Sequence, residues 1–123
     1  MKKLGVIISD SHCTPLKNGV MGIAIGYYGF YPLIDYRGKK DIFGRVLKMS
    51  QTNIADSVAV AAVLVMGEGK EQTPIAIVED VNSVKFGRFD TTHSDPLIID
   101  KNNDIYAPLI NGAKWQKGGS FKK

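Results

Sequence analysis

Cys13 is the only cysteine in the 123 residues, so no disulfide can form within the chain and a reducing compartment is its simplest setting. Long apolar runs are scarce too. The longest, Val58 to Met66, falls far short of the ~20 residues that span a bilayer. The opening MKKLGVIISDSH breaks at Ser9 and Asp10, too early for a secretion signal. The expectation is a cytoplasmic chain with no membrane partner. Charge of one sign is not concentrated either: 16 basic and 12 acidic residues leave +4, and the lysines crowd at the two ends (Lys2, Lys3, Lys114, Lys117, Lys122, Lys123). Without an internal basic stripe interleaved with aromatics, nucleic acid is not an expected partner. Internal repeats and low-complexity blocks are absent.

What is present is a chain 44% hydrophobic and 23% charged, the balance of one globular domain. A compact domain of this length buries roughly 65 to 70% of its unfolded surface. Leu4 to Ile8 is a β-branched run that reads as a buried strand, with Asp10 at its carboxyl end. Val20 to Ile25, closed by Gly19 and Gly26, reads as a second strand, in which Gly22 marks a bulge or a close backbone approach. Arg45 to Met49 and Pro74 to Val81 are further strand candidates. Between them a helix is predicted from about Asn53 to Met66: Thr52 or Asn53 caps it, Asp56 suits its first turn, and Gly67 stops it. Being apolar nearly all round, it should be buried. The fold class that follows is α+β, a mixed sheet of short strands packed on one buried apolar helix. Residues 82–123 form a less regular tail, with a short helix near Asp104 to Asn111 and a mobile end at KGGSFKK.

Several groups of residues could carry chemistry, each against a plainer alternative. Asp10 and Ser11 at a strand end match the rigid positions where α/β proteins place metal and phosphate ligands, although acids also sit there in ordinary turns. MGEGKEQTP, Met66 to Pro74, is a glycine-containing turn whose Glu68 and backbone groups could meet a cation or a phosphate, or simply end the helix. It lacks the spacing of a phosphate loop. DYRGKKDIFGR offers Arg37 and Arg45 as anion clamps beside Asp35 and Asp41, against a solvated loop held by ion pairs. DKNND, Asp100 to Asp104, lacks the glycine and the final glutamate of a calcium loop. His12, Cys13 and His93 lack zinc-site spacing.

In order, IISDSHCTPLKNGVMGIAIGYYGF, DYRGKKDIFGR, NIADSVAVAAVLVMGEG and TPIAIVED resemble the C-terminal half of the coenzyme F420-0:L-glutamate ligase (gamma-glutamyl ligase) family, over residues 1–81. The resemblance implies GTP-dependent, amide-forming ligation of L-glutamate onto an acidic deazaflavin-type acceptor, with Mg2+ or Mn2+. It implies Asp10 as a ligand of one metal, Ser11 of the second, and Glu68 or a neighbouring carbonyl completing that second site. Met66, Gly67, Glu68, Gly69, Lys70, Glu71, Gln72 and Thr73 fall on the family's nucleotide-contacting turn. Lys17, Arg37 and Arg45 are the remaining candidates for anionic substrate.

Two departures from the family accompany this. The loop after the aspartate commonly reads like DTxGRPxRxG, whereas here it is DSHCTPLKNG, so Thr14 replaces one arginine and Lys17 stands near the other. A point charge or a hydroxyl does not reproduce a planar bidentate donor, which points to altered recognition of the acceptor. The chain also has the look of a half-enzyme, since family members are about twice as long and their N-terminal half brings further nucleotide contacts and another metal-ligand aspartate. Activity is therefore expected only with that partner half. The alternative is a non-catalytic dimerisation or interaction module that keeps the ligase fold, as the family's homodimers imply.

Overall fold

The computed structural model describes residues 3–88 and 95–115. His93 and KGGSFKK lie outside them. The architecture is α+β: β1 (Val6–Cys13), β2 (Val20–Tyr28), β3 (Leu33–Asp35), β4 (Gln51–Asn53), α1 (Ile54–Met66) and α2 (Ala107–Gly112). β1 and β2 form an antiparallel hairpin, and β3 and β4 a second antiparallel pair. α1 packs on the β1–β2 hairpin.

The helix begins and ends where its capping residues dictate. Asn53 Oδ1 accepts the Asp56 N–H at 3.0 Å, filling one of the donors that a helix start leaves unpaired. Gly67, at φ 79°, stops the helix and donates its N–H to the Val63 carbonyl. Asp56 does more than complement the first turn. Its Oδ2 accepts from the Asn53 side chain, and its Oδ1 accepts the backbone N–H of Ala24, across 32 residues of sequence. Ala24 lies beside a break in the hairpin register: Ile8 pairs with Gly26 and Ser9 with Ala24, so Ile25 is an extra residue, a β-bulge. Asp56 thereby fastens the start of the helix to the irregular point of the strand.

Further along, helix and strand meet at Gly22. A Cβ there would overlap the Ala59 carbonyl oxygen and crowd the Val63 side chain, so the close approach read from the sequence is real, while the bulge falls at Ile25. Among the described residues the core is small: Phe30, Ile54, Ala55 and Ala59 are buried, as is Pro32, with Ile7, Ala24, Tyr27, Ile34, Val58, Val84 and Leu97 partly buried around them.

Other expectations change. The first strand is longer than Leu4–Ile8, and Asp10 is not at its end but inside it, opposite Ile23, because the polar residues Ser9 to His12 continue the ladder with β2. Both strands cover only one face, leaving Val6, Ile8, Ile25 and Tyr28 exposed. Arg45 to Met49 is not a strand. Asp41 Oδ1 accepts the N–H groups of Phe43 and Arg45, closing a turn with a single bridge from Lys40 to Val46, and the ladder forms instead between β3 and β4. Pro74 to Val81 has no strand pairing among the described residues. The short helix starts three residues late, behind turns in which Asp100 and Asp104 accept N–H groups two residues on. α1 is covered on one side only; Leu64 is 83% exposed.

Downstream of the hairpin, the Tyr27 hydroxyl donates to Asp95 Oδ1 at 2.5 Å and ties the later segment to β2. Burial, and then the bond to Asp95, push the Tyr27 phenol well above its ordinary value.

Two measurements test this scaffold. Gly22→Ala should lower stability by about 1 to 3 kcal/mol in urea unfolding, since the helix backbone has to retreat from the new methyl. Because folding favours protonated Tyr27, its contribution is complete below the ordinary tyrosine pKa of about 10 and fades as pH rises beyond it. The stability gap between wild type and Tyr27→Phe should be about 1 kcal/mol at pH 8 and should shrink above pH 10.

Candidate functional site

Asp10 is exposed at the middle of β1, and its Oδ1 accepts the Ser11 N–H at 2.7 Å. Ser11 is half-buried and pairs with Gly22, the residue that touches α1. Strand alternation puts these neighbouring side chains on opposite faces, Ser11 toward the helix and Asp10 away from it. Val63, at the Gly22 contact, is followed by Met66 about 4.5 Å further along the helix axis. The turn after α1 thus leaves the helix one turn beyond the level of Ser11.

That turn is tightly organised. Gly69 donates its N–H to Glu71 Oε2 at 2.7 Å, and Thr73 donates its hydroxyl to the Met66 carbonyl at 2.7 Å. The Glu71 side chain folds across Gly67, where any Cβ would overlap it. Gln72 takes a left-handed conformation, φ 54°. Met66, Gly67, Glu68, Gly69, Glu71, Gln72, Thr73 and Pro74 enclose an open cleft of about 500 Å³. Hydrogen bonds from its own N–H and from the Gly69 N–H hold the Glu71 carboxyl below its ordinary range. The backbone donors of the turn are thus already presented to an anion, which in this chain is its own carboxylate. Lys70 is exposed beside them.

The remaining candidates belong to other loops. Lys17 is exposed in the β1–β2 connection, and Thr14 turns back so that its hydroxyl meets the Met21 sulfur at 3.5 Å. Arg37 forms a two-pronged pair with Asp35, Nη2 to Oδ2 at 2.6 Å and Nε to Oδ1 at 2.9 Å. The guanidinium side chain and then the backbone N–H of Arg37 draw the Asp35 pKa down to about 2. Arg45 bonds through its backbone to Asp41.

Among the described residues no three His, Cys, Asp or Glu side chains are grouped to hold a metal ion. The donor chemistry of Asp10, Ser11 and Glu68 is all oxygen, however. Oxygen donors are what Mg2+ and Mn2+ take, yet strand alternation sets Asp10 and Ser11 on opposite faces, so the described residues do not form one such set. Sequence reasoning included Glu71 in the turn without seeing that it closes the turn on itself. Its spacing two residues after Gly69 was the available signal.

The hairpin, the helix and the start of the glycine turn all lie within residues that match a known protein family. The F420-0:gamma-glutamyl ligase family model matches residues 1–80, and the chain belongs to that family. Among its relatives, the coenzyme F420:L-glutamate ligase of Methanocaldococcus jannaschii is 44% identical over 105 residues, covering 85% of this chain and 41% of that protein. The enzyme of the same name from Methanococcus maripaludis is 46% identical over 79 residues, 64% of this chain and 32% of the relative. That of Methanothermobacter thermautotrophicus is 40% identical over 77 residues, 63% and 31%. The chain therefore spans less than half the length of these relatives. No helix among the described residues is long and apolar enough to cross a membrane.

The closed state of the turn has a pH signature. A lowered carboxyl pKa contributes order that is present above the ordinary glutamate value of about 4.3 and is lost as pH falls through the folded one. The Gly69 amide resonance should therefore titrate with a midpoint below 4.3, and Glu71→Gln should abolish that titration.

Proposed function

We propose that the chain supplies the metal- and nucleotide-contacting part of a GTP-dependent gamma-glutamyl ligase. The enzyme would join L-glutamate through an amide to an acidic, deazaflavin-type acceptor, with Mg2+ or Mn2+. The observation that carries this reading is the family match across residues 1–80, which includes Asp10, Ser11 and the glycine turn beginning at Met66.

Activating a carboxylic acid by phosphorylation needs the triphosphate held and its charge offset in an in-line arrangement. The bound divalent ion would supply charge neutralisation at the phosphates. Asp10 would hold one ion by its carboxylate, and Ser11 and Glu68 the second. The amides of the glycine turn would donate to phosphate oxygens once the Glu71 carboxylate gives way, with Lys70 alongside. Lys17 would meet an anionic acceptor, and as a point charge it would select less sharply on geometry than an arginine. Arg37 is engaged by Asp35 and is a weaker candidate than Lys17. Arg45 stays a candidate through its loop position alone. The rest of the ligase, in a homodimer or in a partner N-terminal half, would complete the site.

The extensive exposed apolar surface favours a second reading, an interaction module without catalysis. Calorimetric titration of the chain, completed with the remaining part of a relative's ligase, separates the two. GTP with Mn2+ should bind, and Asp10→Ala should weaken that binding by at least about 10-fold, the loss of a charged ligand. No binding by the completed enzyme, or binding indifferent to Asp10→Ala, overturns the ligase reading.

A further inference from the structure

The Glu71 side chain reaches back along its own turn. Its Oε2 accepts the Gly69 N–H at 2.7 Å, and its carboxyl group lies over Gly67, where a Cβ would overlap it. The turn is closed separately at its base, where Gln72 bends the chain at φ 54° and the Thr73 hydroxyl donates to the Met66 carbonyl at 2.7 Å. That bond keeps the two ends of the turn together whether or not the carboxylate is in place.

Glu71 is exposed, as are Gly69 and Lys70 beside it, so withdrawing the carboxylate into water breaks hydrogen bonds rather than core packing. Backbone N–H groups gathered in a turn make a seat for an anion. A carboxylate tethered two residues from the amide it meets occupies that seat at an effective concentration in about the millimolar range or above. A free carboxylate offers the same contacts without the tether and does not displace it. A chain of phosphates offers more, since one oxygen can take the amide while others meet the Lys70 ammonium. The open cleft of about 500 Å³ that the turn encloses has room for them.

We propose that Glu71 is a built-in competitor for the anion seat of this turn, a latch that a polyphosphate displaces and a lone carboxylate does not. On displacement the Gly69 N–H passes from the carboxylate oxygen to a phosphate oxygen, and Glu71 swings out to water. The latch lowers the affinity for every anion by the fraction of time the seat stands open. Weak ligands, including carboxylic acids, then fall below useful occupancy, and a ligand with several contacts stays above it. The proposal rests on the ligase reading for the nature of the arriving polyphosphate.

The test is titration of the full chain with inorganic pyrophosphate and, separately, with acetate, following the Gly69 amide resonance and the side-chain carboxyl carbon of Glu71. Pyrophosphate should move the two signals together, and acetate at the same concentration should move neither. Glu71→Ala should tighten pyrophosphate at least about 10-fold, the gain from unlatching a seat closed nine-tenths of the time. Glu71→Gln, which leaves the turn its full side chain, should tighten it by a smaller factor, because a neutral acceptor holds the amide less strongly. Three results overturn the proposal: no pyrophosphate binding by any of the three proteins, binding that leaves the Gly69 amide unmoved, or affinity that is unchanged or weaker in both variants. Tightening in the variants, with no binding of GTP and Mn2+ by the completed enzyme, keeps the latch and removes the ligase reading. Binding of GTP and Mn2+ by the completed enzyme, with no tightening in the variants, does the reverse.

Discussion

The Asp56 carboxylate holds the domain together at its least regular point. One oxygen takes the Ala24 N–H beside the bulge, and the other takes the Asn53 amide at the helix start. Hydrogen bonds to a charged acceptor in a half-buried setting are worth about 1.5 to 3 kcal/mol each, more than a neutral pair. In a chain with so few buried apolar residues, a polar clamp of that size sets the placement of the helix as much as packing does. The Gly22 contact then fixes how close helix and strand lie, and the turn after Met66 inherits its position from both.

Much of this was legible in local chemistry. Asn53, Asp56 and Gly67 announced the helix, and Gly22 announced the close approach, because capping and steric exclusion act within a few residues or through a missing side chain. The α+β class followed from the same signals, and the family from four ordered motifs. The length of β1 was not legible: Ser9, Asp10, Ser11 and His12 look like a loop, and only pairing with β2 makes them a strand. Arg45 to Met49 and Pro74 to Val81 failed for the converse reason. Alternation in the first and β-branched composition in the second state a willingness to pair, and pairing depends on a partner that a local window does not contain.

The candidate site divides along the same line. The turn from Met66 to Thr73 is contiguous in sequence and is assembled in the structure, closed by Glu71. Asp10 and Ser11 are adjacent in sequence but face opposite sides of a strand, so their joint use depends on groups arriving on both faces. The exposed apolar residues tell a matching story, since among the described residues neither the outer face of the hairpin nor the far side of α1 has a covering layer.

The extra residue at Ile25 has an evolutionary meaning. Because of it, Gly22 and Ala24 before the bulge and Tyr27 after it all turn toward the helix, although strict alternation would set Tyr27 on the other side. Deleting one residue anywhere between Ala24 and Tyr27 would expel either the helix contact or the Tyr27 anchor. Gly22 aside, the outward side chains of this hairpin can be exchanged more easily than its count can change, so its spacing should drift more slowly than its spelling.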